Sequence, residues 1–105
     1  MNKVFLTGRL ARTPELRRTT NGKAVSTLTV AVDRIGDDTA DFLDVVVWEK
    51  AAENACKYLA KGNQVAVEAH LHQRITQTEE GNRYALEIVS DHIEYLSPKN
   101  AEPNE

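Results

Sequence analysis

The hydrophobic period of this chain changes twice, and those two changes restrict the fold. Up to Trp48 apolar residues recur at every second position. Between Trp48 and Gly62 they fall at helical spacing, as Ala51, Ala52, Ala55, Cys56 and Leu59, and from Val65 they alternate again. A period of two reads as a half-buried strand and a period near 3.6 as an amphipathic helix. The alternating runs number three before the helix and two after it. Val4, Leu6, Gly8 and Leu10 alternate with Phe5, Thr7 and Arg9. Ala24 to Arg34 sets Leu28, Val30 and Val32 against Thr27, Thr29 and Ala31. Asp41 to Trp48 is the third run. Val65, Val67, Ala69, Leu71 and Ile75 form the fourth; Tyr84, Leu86 and Ile88 the fifth, with Ile93 and Tyr95 just beyond.

Punctuation between the runs agrees. Thr13-Pro14-Glu15 breaks the chain, Asn21-Gly22 is a hairpin turn signal, and Glu79-Glu80-Gly81-Asn82 turns it again. Ile35 to Ala40 is an acidic loop. Gly62 is placed to end the helix at C′, and Gly8 inside a strand predicts a bulge or a close backbone approach. Five strands with one short helix between the third and fourth predict an all-β fold, a small Greek-key barrel of the OB type. A five-stranded open sheet with the helix packed on one face is the alternative. At 105 residues the chain is one domain, expected over 1–96, and the Pro-, Asn- and Glu-rich residues 97–105 read as a short flexible tail.

The third run, Asp-Phe-Leu-Asp-Val-Val-Val-Trp over Asp41–Trp48, is apolar on both faces. Leu43, Val45 and Val47 share one face; Phe42, Asp44, Val46 and Trp48 share the other. The two aromatics stand roughly 20 Å apart at about 3.3 Å per residue. Such a strand is either covered on both sides or exposes a platform for flat ligands such as bases.

Charge is unevenly distributed. Up to Arg34 the chain has seven basic and two acidic residues; the remainder has six basic and fourteen acidic, for a net charge of −3. A chain polarised in this way can present a basic groove while staying acidic overall. A solvated basic edge is the plainer reading of the same residues. Arg9, Arg17 and Arg18 lie on or beside the first hairpin and Lys23 lies in its turn.

Few residues point to catalysis. The sequence contains neither a Walker A loop nor a dinucleotide glycine fingerprint, and the single Cys56 provides neither a cysteine zinc site nor an internal disulfide. His70 and His72 share a strand face and read as partly exposed strand residues, not metal ligands. No enzyme, metal or cofactor is expected. No secretory signal or apolar run of membrane-spanning length stands out, and one unpaired cysteine fits a reducing cytoplasm. Aromatics on strands beside basic hairpins remain. Stacking on an aromatic tolerates any base, and Lys and Arg contact phosphates, which together describe single-strand binding without sequence readout.

The residues now resemble a known family. Asn2-Lys3-Val4 with Gly8, Pro14-Glu15-Leu16-Arg17 and Asn21-Gly22-Lys23-Ala24-Val25 are similar to bacterial single-stranded DNA-binding proteins. So are Asp41-Phe42 leading to Val47-Trp48, Tyr58-Leu59-Ala60-Lys61-Gly62, and Gly81 and Arg83-Tyr84 followed by Glu87. The resemblance covers Asn2 to about Leu96. It implies an OB-fold domain that forms a homotetramer (a dimer being the other state considered) and wraps single-stranded DNA, protecting it during replication, recombination and repair. It implies a cytoplasmic, nucleoid-associated protein with replication and recombination proteins as partners. Phe42 and Trp48 match the family's base-stacking aromatics. Lys3, Arg17, Lys50, Lys61, Arg74 and Arg83 match backbone contacts, whereas Arg9, Arg18 and Lys23 rest on charge and hairpin placement alone. A protein-interaction module of primosome or recombination complexes, and binding of single-stranded RNA, are the competing readings.

Four positions depart from the family. Ile75-Thr76 stands where an aromatic is frequent, the loop after Arg34 lacks an aromatic, Ala69 replaces a usual glycine, and Asp44 occupies a position commonly neutral or basic. A carboxylate between two stacking rings should repel phosphates, so these departures imply weaker binding or a shifted site size. The residues after Ser97 lack the long linker and acidic tip of typical members.

Overall fold

A computed structural model describes residues 1–97. The alternating rows of the sequence meet inside a sheet that closes on itself. Its strands are β1 (Val4–Leu10), β2 (Arg17–Arg18), β3 (Ala24–Asp33), β4 (Ala40–Trp48), β5 (Gln64–Thr78) and β6 (Gly81–Tyr95), with the helix α1 (Glu49–Tyr58) between β4 and β5. Neighbours run β1-β5-β6-β4-β3-β2, and an additional β1–β3 pairing closes the ring. The β4–β6 pairing, Val45↔Ile88 and Val46↔Val89, is parallel; the others are antiparallel. This is the Greek-key barrel of the OB type, and ring closure rules out the open sheet. One strand more than expected is present: β2 is two residues long and pairs with the start of β3.

The core is the inner row of each strand. Leu10, Leu28, Val30, Val45, Val47, Val65, Val67 and Ala69 are buried, and Ala52, Ala55 and Leu59 close the barrel end beneath the helix. Each fully buried Val or Leu contributes about 1.5–3 kcal/mol. Glu49 in the first turn of α1 and Lys57 in the last suit the helix dipole. The helix does not continue to Gly62. Leu59 turns extended so that its side chain enters the core, and its N–H still reaches the Ala55 carbonyl at 2.9 Å. Gly62, at φ 92°, serves the following turn, where the Asn63 N–H closes on the Ala60 carbonyl at 3.0 Å.

The fifth run and the residues beyond it form one strand with a bulge. Glu68 faces His92 and Ala69 faces Ser90, so Asp91 is the extra residue. The bulge shifts the phase, which is why Ile88 and Ile93, five apart, both pack on the core. Past the barrel, β5 and β6 project as a two-stranded arm on which Leu71, Ile75, Tyr84 and Leu86 are exposed. Ser97, the first residue of the expected tail, is tied to Gln64: the Gln64 N–H donates to the Ser97 hydroxyl at 2.7 Å. The rest of that tail, 98–105, lies outside the described residues.

Gly8 is the close approach that the sequence predicts. It sits on the inner face of β1 opposite Val65, one residue before β1 switches from β5 to β3. A Cβ there would overlap the Ala31 carbonyl oxygen and stand 2.8 Å from Val30 Cγ1. Gly8→Ala is expected to lower unfolding free energy in urea by about 1–3 kcal/mol, the cost of overpacking a closed core.

Candidate nucleic-acid interface

Register decides which side chains share the outer face of the barrel, because residues directly opposite in a sheet project to the same side. Trp48 lies opposite Val25, and Val25 opposite Arg17, which makes one outer row Arg17–Val25–Trp48. Phe42 lies opposite Ala31, and Ala31 opposite Arg9, which makes a second row Arg9–Ala31–Phe42. Each aromatic of β4 thus has a guanidinium two strands away at the same height. Phe42 is 65% exposed and Trp48 37%; the inner neighbours Val45 and Val47 are fully buried. Val25, opposite Trp48 on this outer face, is itself buried, and the indole is partly covered.

The same face continues onto the arm. Val46 pairs with Val89, and Val89 with His70, after which His72, Arg74 and Thr76 follow at alternate positions of β5. Arg83 sits opposite Thr76. Arg74 is held by Glu87, Nε to Oε2 at 3.3 Å. At the other end, Lys23 lines a depression of about 390 Å³ with Thr19, Asn21, Trp48 and Glu49. Lys50 is exposed in the first turn of α1, next to Trp48 and Glu49. Lys61 sits in the turn after the helix, which is bound to β1. Its N–H donates to Thr13 Oγ1 at 3.0 Å, and Arg9 Nη1 donates to the Gly62 carbonyl at 3.0 Å.

Two expected contacts are placed differently. Arg18 pairs opposite Ala24, one position out of phase with Arg17, and its guanidinium reaches Glu53 of the helix at 3.6 Å. Lys3 precedes β1 at the end that pairs with β5, with Nζ 3.0 Å from Glu68 and 3.7 Å from Asp91. The Glu68 carboxylate, hydrogen-bonded to Lys3 and attracting its charge, raises that ammonium's pKa above its ordinary value, and Asp91 adds to the effect. Asp91 also takes a hydrogen bond from His70 Nδ1 at 2.9 Å in the tautomer that carries the proton there. His70 therefore serves a surface ion-pair group, and no cluster of metal-ligating type is formed among the described residues.

Arg12 was not singled out by the sequence. It lines a cleft of about 190 Å³ with Thr13, Glu15, Arg17 and Thr27, on the platform side of β2. It sits between the first run and Pro14, in no alternating pattern, and only its charge and its nearness to Arg17 would have drawn attention to it. Arg17 itself is steadied by a hydrogen bond from Nη2 to Thr27 Oγ1 at 3.3 Å.

The junction after Trp48 is strained. Trp48 is extended, and Glu49, the first helical residue, has φ 59°. Outside glycine this left-handed conformation is uncommon. It lets the chain turn directly from β4 into the helix and leaves the indole at the outer rim.

Comparison with known proteins gives concordant matches. Residues 1–96 match the model of the single-strand binding protein family. The chain is similar to "Single-stranded DNA-binding protein 1" of Staphylococcus aureus strain MSSA476, 42% identical over 111 residues, spanning 100% of this chain and 71% of that protein. It is also 42% identical over 106 residues to "Single-stranded DNA-binding protein" of Bacillus cereus, spanning 95% of this chain and 62% of the relative. "Single-stranded DNA-binding protein 2" of Staphylococcus aureus strain COL is 43% identical over 106 residues, with 95% and 76% covered.

The left-handed turn gives a stability prediction. Asparagine tolerates this conformation and a β-branched residue does not. Glu49→Val is therefore expected to be less stable than Glu49→Asn by roughly 1–2 kcal/mol in equilibrium unfolding. Both substitutions remove the same charge from the helix N-terminus, so the difference is not one of charge.

Proposed function

The chain belongs to the single-strand binding protein family, and on that footing we propose that it binds and protects single-stranded DNA without reading its sequence in the manner of a duplex binder. The observation that carries the mechanism is the pair of parallel outer rows, Arg17–Val25–Trp48 and Arg9–Ala31–Phe42. Unpaired bases stack on the two rings, and the guanidinium groups two strands away hold the backbone. Lys23, Lys50 and Lys61 border the same track, and Arg74 and Arg83 extend it along the arm. Stacking of this type contributes about 1–3 kcal/mol per base. A duplex presents no free base faces to the rings, so the platform selects unpaired strands. The protein acts as a binding protein and not an enzyme, in the cytoplasm at sites of replication, recombination and repair.

Trp48 is the chain's one tryptophan, so its emission reports on the platform alone. Single-stranded DNA is expected to quench it, and unchanged emission at saturating oligonucleotide would remove the stacking role. Phe42→Ala, whose ring is largely exposed, is expected to weaken binding by about 1–3 kcal/mol. In the same titration repeated across a salt series, Arg17→Ala should make the salt dependence shallower by about one phosphate contact. Arg18→Ala, engaged with Glu53, should leave the slope as it is.

Self-association as a homotetramer belongs to the same reading. The arm exposes Leu71, Ile75, Tyr84 and Leu86. Alternation puts these four on one face, with Ile75 directly opposite Tyr84. An exposed apolar stripe of this kind marks an association surface. Sedimentation of the free protein is expected to give a tetramer, and a monomer at micromolar concentration would overturn this part of the proposal.

A further inference from the structure

Two rows lie between the aromatic rows of the platform, that of Thr27 and Val46 and, next to Phe42, one without a cation. The latter consists of Ala11, Thr29 and Asp44: the Ala11 N–H reaches the Thr29 carbonyl at 2.8 Å, and Thr29 lies opposite Asp44 in register. Asp44 is exposed on the same face as Phe42 and Trp48. Its carboxylate is held in place, because the buried Thr29 hydroxyl donates to Asp44 Oδ1 at 2.7 Å. The second oxygen, Oδ2, has no partner among the described residues. Asp44 is two positions from Phe42 along β4, roughly 7 Å away, about the distance from the centre of a stacked base to a group that meets its edge.

A carboxylate in that place is an acceptor with several free lone pairs and no donor to offer. A base whose edge presents adjacent N–H groups can satisfy it. Guanine does so with N1–H and the N2 amine side by side. Thymine offers one N–H flanked by two carbonyl oxygens, which the carboxylate repels. We infer that Asp44, positioned by Thr29, is a base-reading acceptor that gives this platform a preference for guanine over thymine. The inference rests on the single-strand reading above and adds a specificity to it. Simple repulsion of phosphates by Asp44 would weaken all strands alike and would give no dependence on the base.

The two accounts separate in one experiment. Three end-labelled oligomers of equal length are used: all-thymine, thymine alternating with guanine, and thymine alternating with hypoxanthine, which lacks only the N2 amine. Binding is followed by anisotropy in lithium buffer, which does not support quadruplexes. The wild-type protein is expected to bind the guanine oligomer about five- to tenfold more tightly than the hypoxanthine oligomer, the range for a paired base contact. Asp44→Asn, which still offers Thr29 an oxygen, should bring that ratio close to one. Thr29→Val, which keeps the shape and removes the hydrogen bond, should lower it. A wild-type ratio of one, or an Asp44→Asn protein that gains the same factor on all three oligomers, overturns the inference. Failure of the wild-type protein to bind any of the three removes the single-strand reading itself, and the inference with it.

Discussion

The barrel depends on the place where β1 leaves one neighbour and takes another. Six residues of β1, Val4 to Arg9, pair with β5, and Arg9 and Leu10 pair with β3. Gly8 allows the crossing, because any side chain there would collide with the Ala31 backbone. Without that closure the later part of β3, beyond its pairing with β2, would be an open edge, and the outer row Arg9–Ala31–Phe42 would not exist, since Arg9 reaches it only through the β1–β3 pairing. The geometry of the proposed binding face is therefore set on the inner side of the sheet, by an absent side chain. Core packing and surface layout are one problem here, as expected when a short sheet is curved tightly enough to close.

How much of this was legible in the sequence depends on whether local pattern or pairing decides the feature. Alternation alone put Val45 and Val47 on one face and Phe42 and Trp48 on the other, because a strand has only two faces, but it left open whether the second face is covered or exposed. It also gave the helix, since Ala52, Ala55 and Leu59 recur at its period. The end of the helix was not legible: Gly62 is a good stop signal, but the need to bury Leu59 ends the helix earlier. The long β6 read as a strand with loose residues beyond it, because the bulge at Asp91 changes the phase between Ile88 and Ile93. Nothing local marks such a bulge. The two-residue β2 is too short to carry a period.

The basic residues show the same division more sharply. Arg17 and Arg18 are neighbours of like charge near one hairpin, and charge and hairpin placement alone do not tell them apart. Pairing with β3 separates them, one beside Val25 on the aromatic face and the other beside Ala24, where it reaches the helix. Lys3 looks like a free cation until Glu68 and Asp91, distant in sequence, are folded against it. A negative net charge is thus compatible with the proposed function. Acids from the second half of the chain pair with Lys3, with Arg18 and, on the arm, with Arg74, whereas among the described residues Arg9 and Arg17 have carbonyl and hydroxyl partners only. Exposed ion pairs of this kind contribute little stability; their consequence is to decide which cations remain available to a phosphate.

Rigidity links these features to the platform. Phe42 and Trp48 lie on one strand whose inner residues Val45 and Val47 are fully buried, so the backbone that carries both rings is fixed by the core. Trp48 is held a second time by the left-handed residue that follows it, where the chain bears strain to turn into the helix at once. Strained backbone persists only where its surroundings over-determine it. Here the surroundings are the β3–β4 ladder on one side and the helix, anchored by Ala52 and Ala55, on the other. A platform fixed in this way meets a flexible strand with little ordering left to do on the protein's side, so the entropic cost of binding falls mainly on the nucleic acid. A fixed carboxylate between fixed rings can then discriminate among bases, because a mobile one would swing away from an unfavourable edge.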